Sequence, residues 1–331
     1  LDQRWNPSVT DNDDLEVGTV SEVFSSGDMS GITLADGDLQ LSAATLNITD
    51  TVTTGNGHQT YDGPVQTADG LTLTGSTITF NDTLSPGGDA AAAGLSVDGD
   101  LVFAEGSTYS VTLNGTTPES GYDQIDLHAD HTLTWNGELT GEGNHDYTNG
   151  DVLSIIDNAG GDRSGNPLGF VDINDQYFDV DDPDSTAQDL ALVRIDLSLW
   201  TGDGADSSWS TGDNWKTNSV PDENARLAFP DDVATAEAVN NLGDGFSVKK
   251  LYFSDDGGDN RYTLTGNSIE LSGGVVNTSG VEQTVGLDVL LTGDQTFRAN
   301  NGQLTLHGAV DGSHVLTLDA TSRISAAGAV G

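Results

Sequence analysis

Cysteine is absent from this 331-residue chain. That excludes a disulfide framework and any thiolate metal site, so an exported protein of this sequence must rely on rung stacking and backbone ladders, with bound Ca²⁺ as a candidate addition. Cationic side chains are scarce as well: 10 Lys plus Arg stand against 53 Asp plus Glu, a formal net charge of −43. Phosphate contacts need cationic donors, so neither nucleic acid nor anionic lipid is an expected partner, and cations are the expected company. No run of 18 apolar residues occurs, and the residues after Leu1 lack the charged and apolar regions of a secretion signal. The expected protein is not membrane-embedded, and the sequence reads as a mature or excised segment. Proline is also rare, 8 against 42 Gly, and the glycines follow no three-residue period, which excludes collagen and favours many turns. A carboxylate surplus without Cys fits an extracellular or saline setting, so a secreted, cell-surface or extracellular location is expected.

What is present is a repeating phrase. Gln59-Thr60-Tyr61 precedes Leu71-Thr72-Leu73-Thr74-Gly75, and Gln295-Thr296-Phe297 precedes Leu304-Thr305-Leu306-His307-Gly308. Small, Thr-rich alternating strands set between Gly, Asn and Asp turns are how a chain builds a stack of similar coils. From Ile32 the pattern is regular, with apolar residues at every second position in Ile32 to Leu34, Leu39 to Leu41 and Leu46 to Ile48. Ala90 to Ala93, flanked by Gly and Pro, is too short for a persistent helix and reads as a loop or one helical turn. The strongest strand signals lie between residues 95 and 157. The acid-rich stretch from Gly160 to Asp189 reads as irregular, with Phe170, Tyr177 and Phe178 covering an open sheet edge. Trp5 reads as an end cap beside an acidic opening at Asp11 to Asp14. The expected fold is all-β, a right-handed parallel β-helix or β-solenoid with a small β-rich junction. The expected domains are residues 1–190, a solenoid segment with an acidic closing loop, and 191–331, a Trp-rich junction followed by a second solenoid segment.

Trp200-Thr201-Gly202, Trp209 and Asn214-Trp215, together with Gly106 to Tyr109, Gly121-Tyr122-Asp123-Gln124-Ile125 and Gly150 to Asn158, carry a resemblance. On these residues the chain resembles the autotransporter-associated β-strand repeat proteins of bacterial surfaces, over most of 58–331. The resemblance implies a right-handed parallel β-helix and a passenger role in adhesion or the extracellular matrix, and it supplies no catalytic residues. In such proteins the Trp-rich segment opens a unit and the Gly-Tyr-Asp-Gln-Ile segment closes one. Here the closing segment comes first, which implies a window from a longer tandem array or a polymer subunit.

Candidate sites follow from the polar residues. Asp179, Asp181, Asp182 and Asp184 form one dense oxygen cluster, and Asp255, Asp256 and Asp259 a second beside two glycines; both are candidate Ca²⁺ sites, the first the better one, with solvated acidic turns as the alternative, and neither has an EF-hand loop. His128 and His131 fall on opposite faces of a strand unless the Ala129-Asp130 pair bends the chain, which sets them against shared metal ligation. Trp200, Trp209 and Trp215 are read as packing rather than as a sugar-stacking platform. Asn47, Asn81, Asn114 and Asn277 sit in Asn-X-Ser/Thr triplets, weak signals for glycan attachment. The expected function is therefore non-enzymatic, a structural or adhesive element that self-associates into filaments or belongs to a longer array. The alternatives are a glycan-binding module, with a sugar or a neighbouring cell surface as partner, and a polysaccharide-degrading β-helix enzyme. The latter requires convergent carboxylates beside basic residues, and Arg163, Arg194, Arg226, Arg261, Arg298 and Arg323 are widely separated.

Overall fold

The computed structural model describes residues 15–16, 31–34, 37–88, 91–158, 161–165, 169–180, 188–233, 236–255, 257–299, 302–320, 323–326 and 328. Trp5, Asp11, Asn12, Asp13 and Asp14 lie outside these residues, as does Ala90. Among the described residues almost all regular structure is β-strand; there is no α-helix, and a single 3-10 turn covers Gly212–Asn214. Among the described residues parallel strands stack coil upon coil, the architecture of a β-solenoid. The chain divides into two compact units, Leu1–Asn166 with Val171–Arg194, and Pro167–Phe170 with Ile195–Gly331.

In the first unit, period-2 alternation decides which side chains face inward. Along Leu71–Phe80, Leu71, Leu73, Ile78 and Phe80 are buried, and the alternation restarts at Gly75-Ser76, where the strand turns a corner. The strand of the next coil, Gly94–Phe103, has its corner at Gly99, where the register shifts between Asp98 and Asp100. A Cβ on Gly99 would lie 2.1 Å from the carbonyl oxygen of Gly75, so the two corners stack this closely only because glycine is there.

Register turns this alternation into interior columns. Leu41 lies beside Tyr61, Tyr61 beside Phe80, Phe80 beside Phe103 and Phe103 beside Trp135. The rings of Tyr61 and Phe80 stack at 5.1 Å, Phe80 and Phe103 at 5.6 Å, and Phe103 tilts against Trp135 at 4.7 Å. Each such ring buries roughly 150–250 Å², so this ladder is the main apolar contribution of the unit. Val52, Leu73, Val97 and Leu127 make a second column. Leu46, Val65, Leu84, Tyr109 and Leu139 make a third on a separate five-stranded sheet.

The parallel ladder ends in an antiparallel one. Val152–Asp157 pairs with Leu190–Ile195 in opposite sense, and the sheet continues to Gln176–Asp179 and then Phe170–Ile173. The stretch that reads as irregular therefore contains strands. Phe178 is buried there, with its ring edge-on to Tyr147 at 5.6 Å.

The second unit repeats the scheme. Leu227, Leu251, Val275, Phe297 and Leu318 form one column, and Ala238, Leu264, Val285, Leu306 and Ala326 another on a five-stranded sheet. Trp200, Trp209 and Trp215 gather around Phe229 with ring centroids 6.0 to 6.1 Å from it, over the strand pair Leu197–Leu199 and Ala225–Pro230.

Candidate functional site

Backbone amides recruit many of the carboxylates. Asp38 Oδ1 accepts the N–H of His58, 20 residues on, at 2.7 Å, and Asp69 Oδ1 that of Gly94, 25 residues on, at 2.9 Å. Asp100 Oδ1 accepts the N–H of Thr132, 32 residues on, at 2.8 Å. In the second unit Asp231 Oδ1 takes Gly258 N–H, 27 residues on, while Asp288 and Asp294 take those of Ala309 and Val315, each 21 residues on. The separations track the length of the coil, so a turn aspartate in one coil caps a strand start in the next. This accounts for why aspartate, whose short side chain reaches an adjacent amide, is so abundant in the turns.

Asp123 of the Gly-Tyr-Asp-Gln-Ile segment is the buried version. Its Oδ1 accepts Ala93 N–H at 2.8 Å and its Oδ2 accepts Thr112 N–H at 2.7 Å, which ties three stretches of chain together. Burial pushes the carboxyl up to about 7, against the lowering effect of these hydrogen bonds.

The predicted Ca²⁺ ligands divide. Asp179 is buried at the end of Gln176–Asp179, whereas Asp181, Asp182 and Asp184 lie outside the described residues. Asp255 and Asp259 are exposed, Asp255 Oδ1 accepts the N–H of Gly257 at 3.0 Å, and Asp256 lies outside the described residues. Among the described residues no group of three or more His, Asp or Glu side chains is already set around an ion position.

The histidine pair is where local backbone changes the reading. Ala129-Asp130 forms a turn, with Asp130 at φ 77°, and it brings both imidazoles to the same carboxylate instead of sending them to opposite faces. His131 Nε2 lies 3.0 Å and His128 Nδ1 3.7 Å from Asp98 Oδ1. Spacing alone hides this, because the i,i+3 argument assumes a continuous strand; a short Asp-containing turn was the available signal.

The three tryptophans of the second unit are buried to within 1%. Trp215 Nε1 donates to the carbonyl oxygen of Trp209 at 2.9 Å, and these indoles pack as core. Asn277, one of the four triplet asparagines, is buried and donates through Nδ2 to the carbonyl oxygens of Val281 and Gln303, while Asn47, Asn81 and Asn114 are exposed. Arg163 donates to the carbonyl oxygen of Asp189 at 3.0 Å, Arg261 pairs with Glu282 at 3.4 Å, and Arg298 with Asp319 at 3.4 Å, each bound to its own coil neighbourhood. No helix among the described residues is long and apolar enough to cross a membrane.

No protein-family model matches the chain, and neither a curated protein nor a solved structure matches it at a significant level.

Proposed function

We propose that this chain is a secreted structural or adhesive element of a bacterial cell surface or extracellular matrix, built to extend a stack by adding further coils of its own kind. The observation that carries the reading is the face of the coil formed by Leu316–Asp319 and Ile324–Ala326. Leu318 continues the column of Val275 and Phe297 into the last described coil, where it is 56% exposed and open to a further coil, whether that coil follows in the same polypeptide or comes from another copy. Val315 beside it is 63% exposed. An apolar column at a parallel edge, with ladder groups facing outward, is satisfied by one more strand. The 21-residue separation of Asp294 and Val315 is close to the 20 residues between Asp38 and His58, so a coil from another copy or a neighbouring repeat unit has the size to continue the columns.

The resemblance to autotransporter-associated β-strand repeat proteins supports the same reading, and the role is mechanical rather than enzymatic. Surface carboxylates keep the assemblies soluble, and Ca²⁺ held by exposed carboxylates such as Asp255 and Asp259 bridges them. Electron microscopy of native material with and without EDTA tests this. Regular filaments that fray on chelation are expected; dispersed particles indifferent to EDTA would contradict a cation-bridged polymer and move the assignment to a glycan-binding module.

A further inference from the structure

We propose that Asp98, His128 and His131 form a binding site for a divalent transition-metal ion of the Zn²⁺ class, distinct from any oxygen-only Ca²⁺ site. Two stacked corners create it. On one coil, Asp98 and Asp100 flank the corner at Gly99; on the next, His128 and His131 flank the Ala129-Asp130 turn. The turn is clamped at both ends onto the corner beneath: His128 N–H donates to the Val97 carbonyl oxygen at 3.0 Å, and Thr132 N–H and Oγ1 donate to Asp100 Oδ1 at 2.8 and 3.0 Å. The backbone that carries the imidazoles is thus held by the strand that carries the carboxylates.

Two of the donor-to-donor edges come near those of such an ion's site. A tetrahedral site with bonds of about 2.0–2.1 Å has edges of roughly 3.3–3.4 Å between donors. The two nitrogen to Asp98 Oδ1 distances, 3.0 and 3.7 Å, bracket that edge. As they stand the donors are hydrogen-bonded to one another rather than set around an ion. Binding therefore requires the ion to replace the proton held between His131 Nε2 and Asp98, with a small rotation of side chains that are 30 to 45% exposed. The remaining nitrogen of His128 already has an orienting partner, with Nε2 2.9 Å from Ser96 Oγ, while His131 Nδ1 lies 4.0 Å from Asp100 Oδ1, beyond hydrogen-bond distance. Outer partners of this kind fix the imidazole orientation that a metal needs. Two imidazoles and one carboxylate select Zn²⁺, Co²⁺, Ni²⁺ or Cu²⁺ over Ca²⁺, which takes oxygen donors. Three protein ligands leave a fourth position for water.

Titration of the full chain with Co²⁺, in excess Ca²⁺ to occupy carboxylate-only sites, reads the coordination directly by visible absorption. The expected result is one saturating equivalent with a tetrahedral spectrum, displaced by Zn²⁺. His128→Ala and His131→Ala should each abolish that spectrum, Ser96→Ala should weaken binding about 10–100-fold, and His307→Ala in the other unit should leave it unchanged. Far-UV circular dichroism confirms that each variant keeps its strands. Absence of a saturable spectrum from the folded chain, or a spectrum that survives the His128→Ala/His131→Ala double change, overturns the site.

Discussion

Asp123 shows how one residue specifies a junction. Its two oxygens each accept a different backbone N–H, so an amide in its place must turn a donor toward one of them. Asp123→Asn should cost about 1–3 kcal/mol, the desolvation penalty of a buried donor left unmet, read by denaturant unfolding. The pH dependence has a definite sign. The folded carboxyl is raised from 3.8 to about 7, so its contribution is fully present below the unfolded value and is lost as pH rises through 7. The stability advantage of the natural chain over Asp123→Asn should therefore shrink between pH 4 and 7; an advantage that grows over that interval would show that the carboxylate, not the acid, is the stabilising form. Phe103 makes the complementary case in the core. It contacts Phe80, Tyr109 and Trp135, and Phe103→Ala should destabilise by about 3–5 kcal/mol through the cavity it leaves.

Coils are the elements of this fold, and two devices join them: a turn aspartate that caps the next strand, and a glycine where turns approach closely. Asp294→Ala removes one cap and should lower stability by about 0.5–1.5 kcal/mol, with faster amide exchange at Val315 as the local readout. Gly308 ends the repeated phrase because a Cβ there would lie 1.9 Å from the carbonyl oxygen of Leu287, on the coil before. Gly308→Ala should force these turns apart and cost about 1–3 kcal/mol, measured by the same unfolding assay. The phrase itself, with its alternating Leu and Thr, was readable as stacked strands because inward and outward positions differ chemically at every step. The same holds for the tryptophans, whose packing role follows from the burial their size demands. What could not be read was anything set by the partner coil: the aromatic ladder depends on register, and within 160–189 the strand Arg163–Gly165 is paired by Leu133–Trp135 and Gln176–Asp179 by Leu190–Ile195 rather than by local alternation. His128 and His131 depend on the same kind of feature: their spacing implies opposite faces only in an unbroken strand, and the Ala129-Asp130 pair supplies the bend.

At the scale of the whole molecule, the fold is a sum of neighbouring coils, and such stacks grow wherever a coil has an uncovered face. The high negative charge opposes indiscriminate association, so growth must proceed through matched columns rather than through general stickiness. Leu318 is the residue of the last described coil at which that match is made, whether the next coil follows in the same polypeptide or comes from another copy. Sedimentation velocity over a range of concentrations, on the natural chain and on Leu318→Asp, tests the account most directly. It predicts concentration-dependent growth of the natural chain and a single small species for the variant with unchanged circular dichroism. A natural chain that stays one small species at every concentration, with Ca²⁺ present, would contradict assembly by coil stacking.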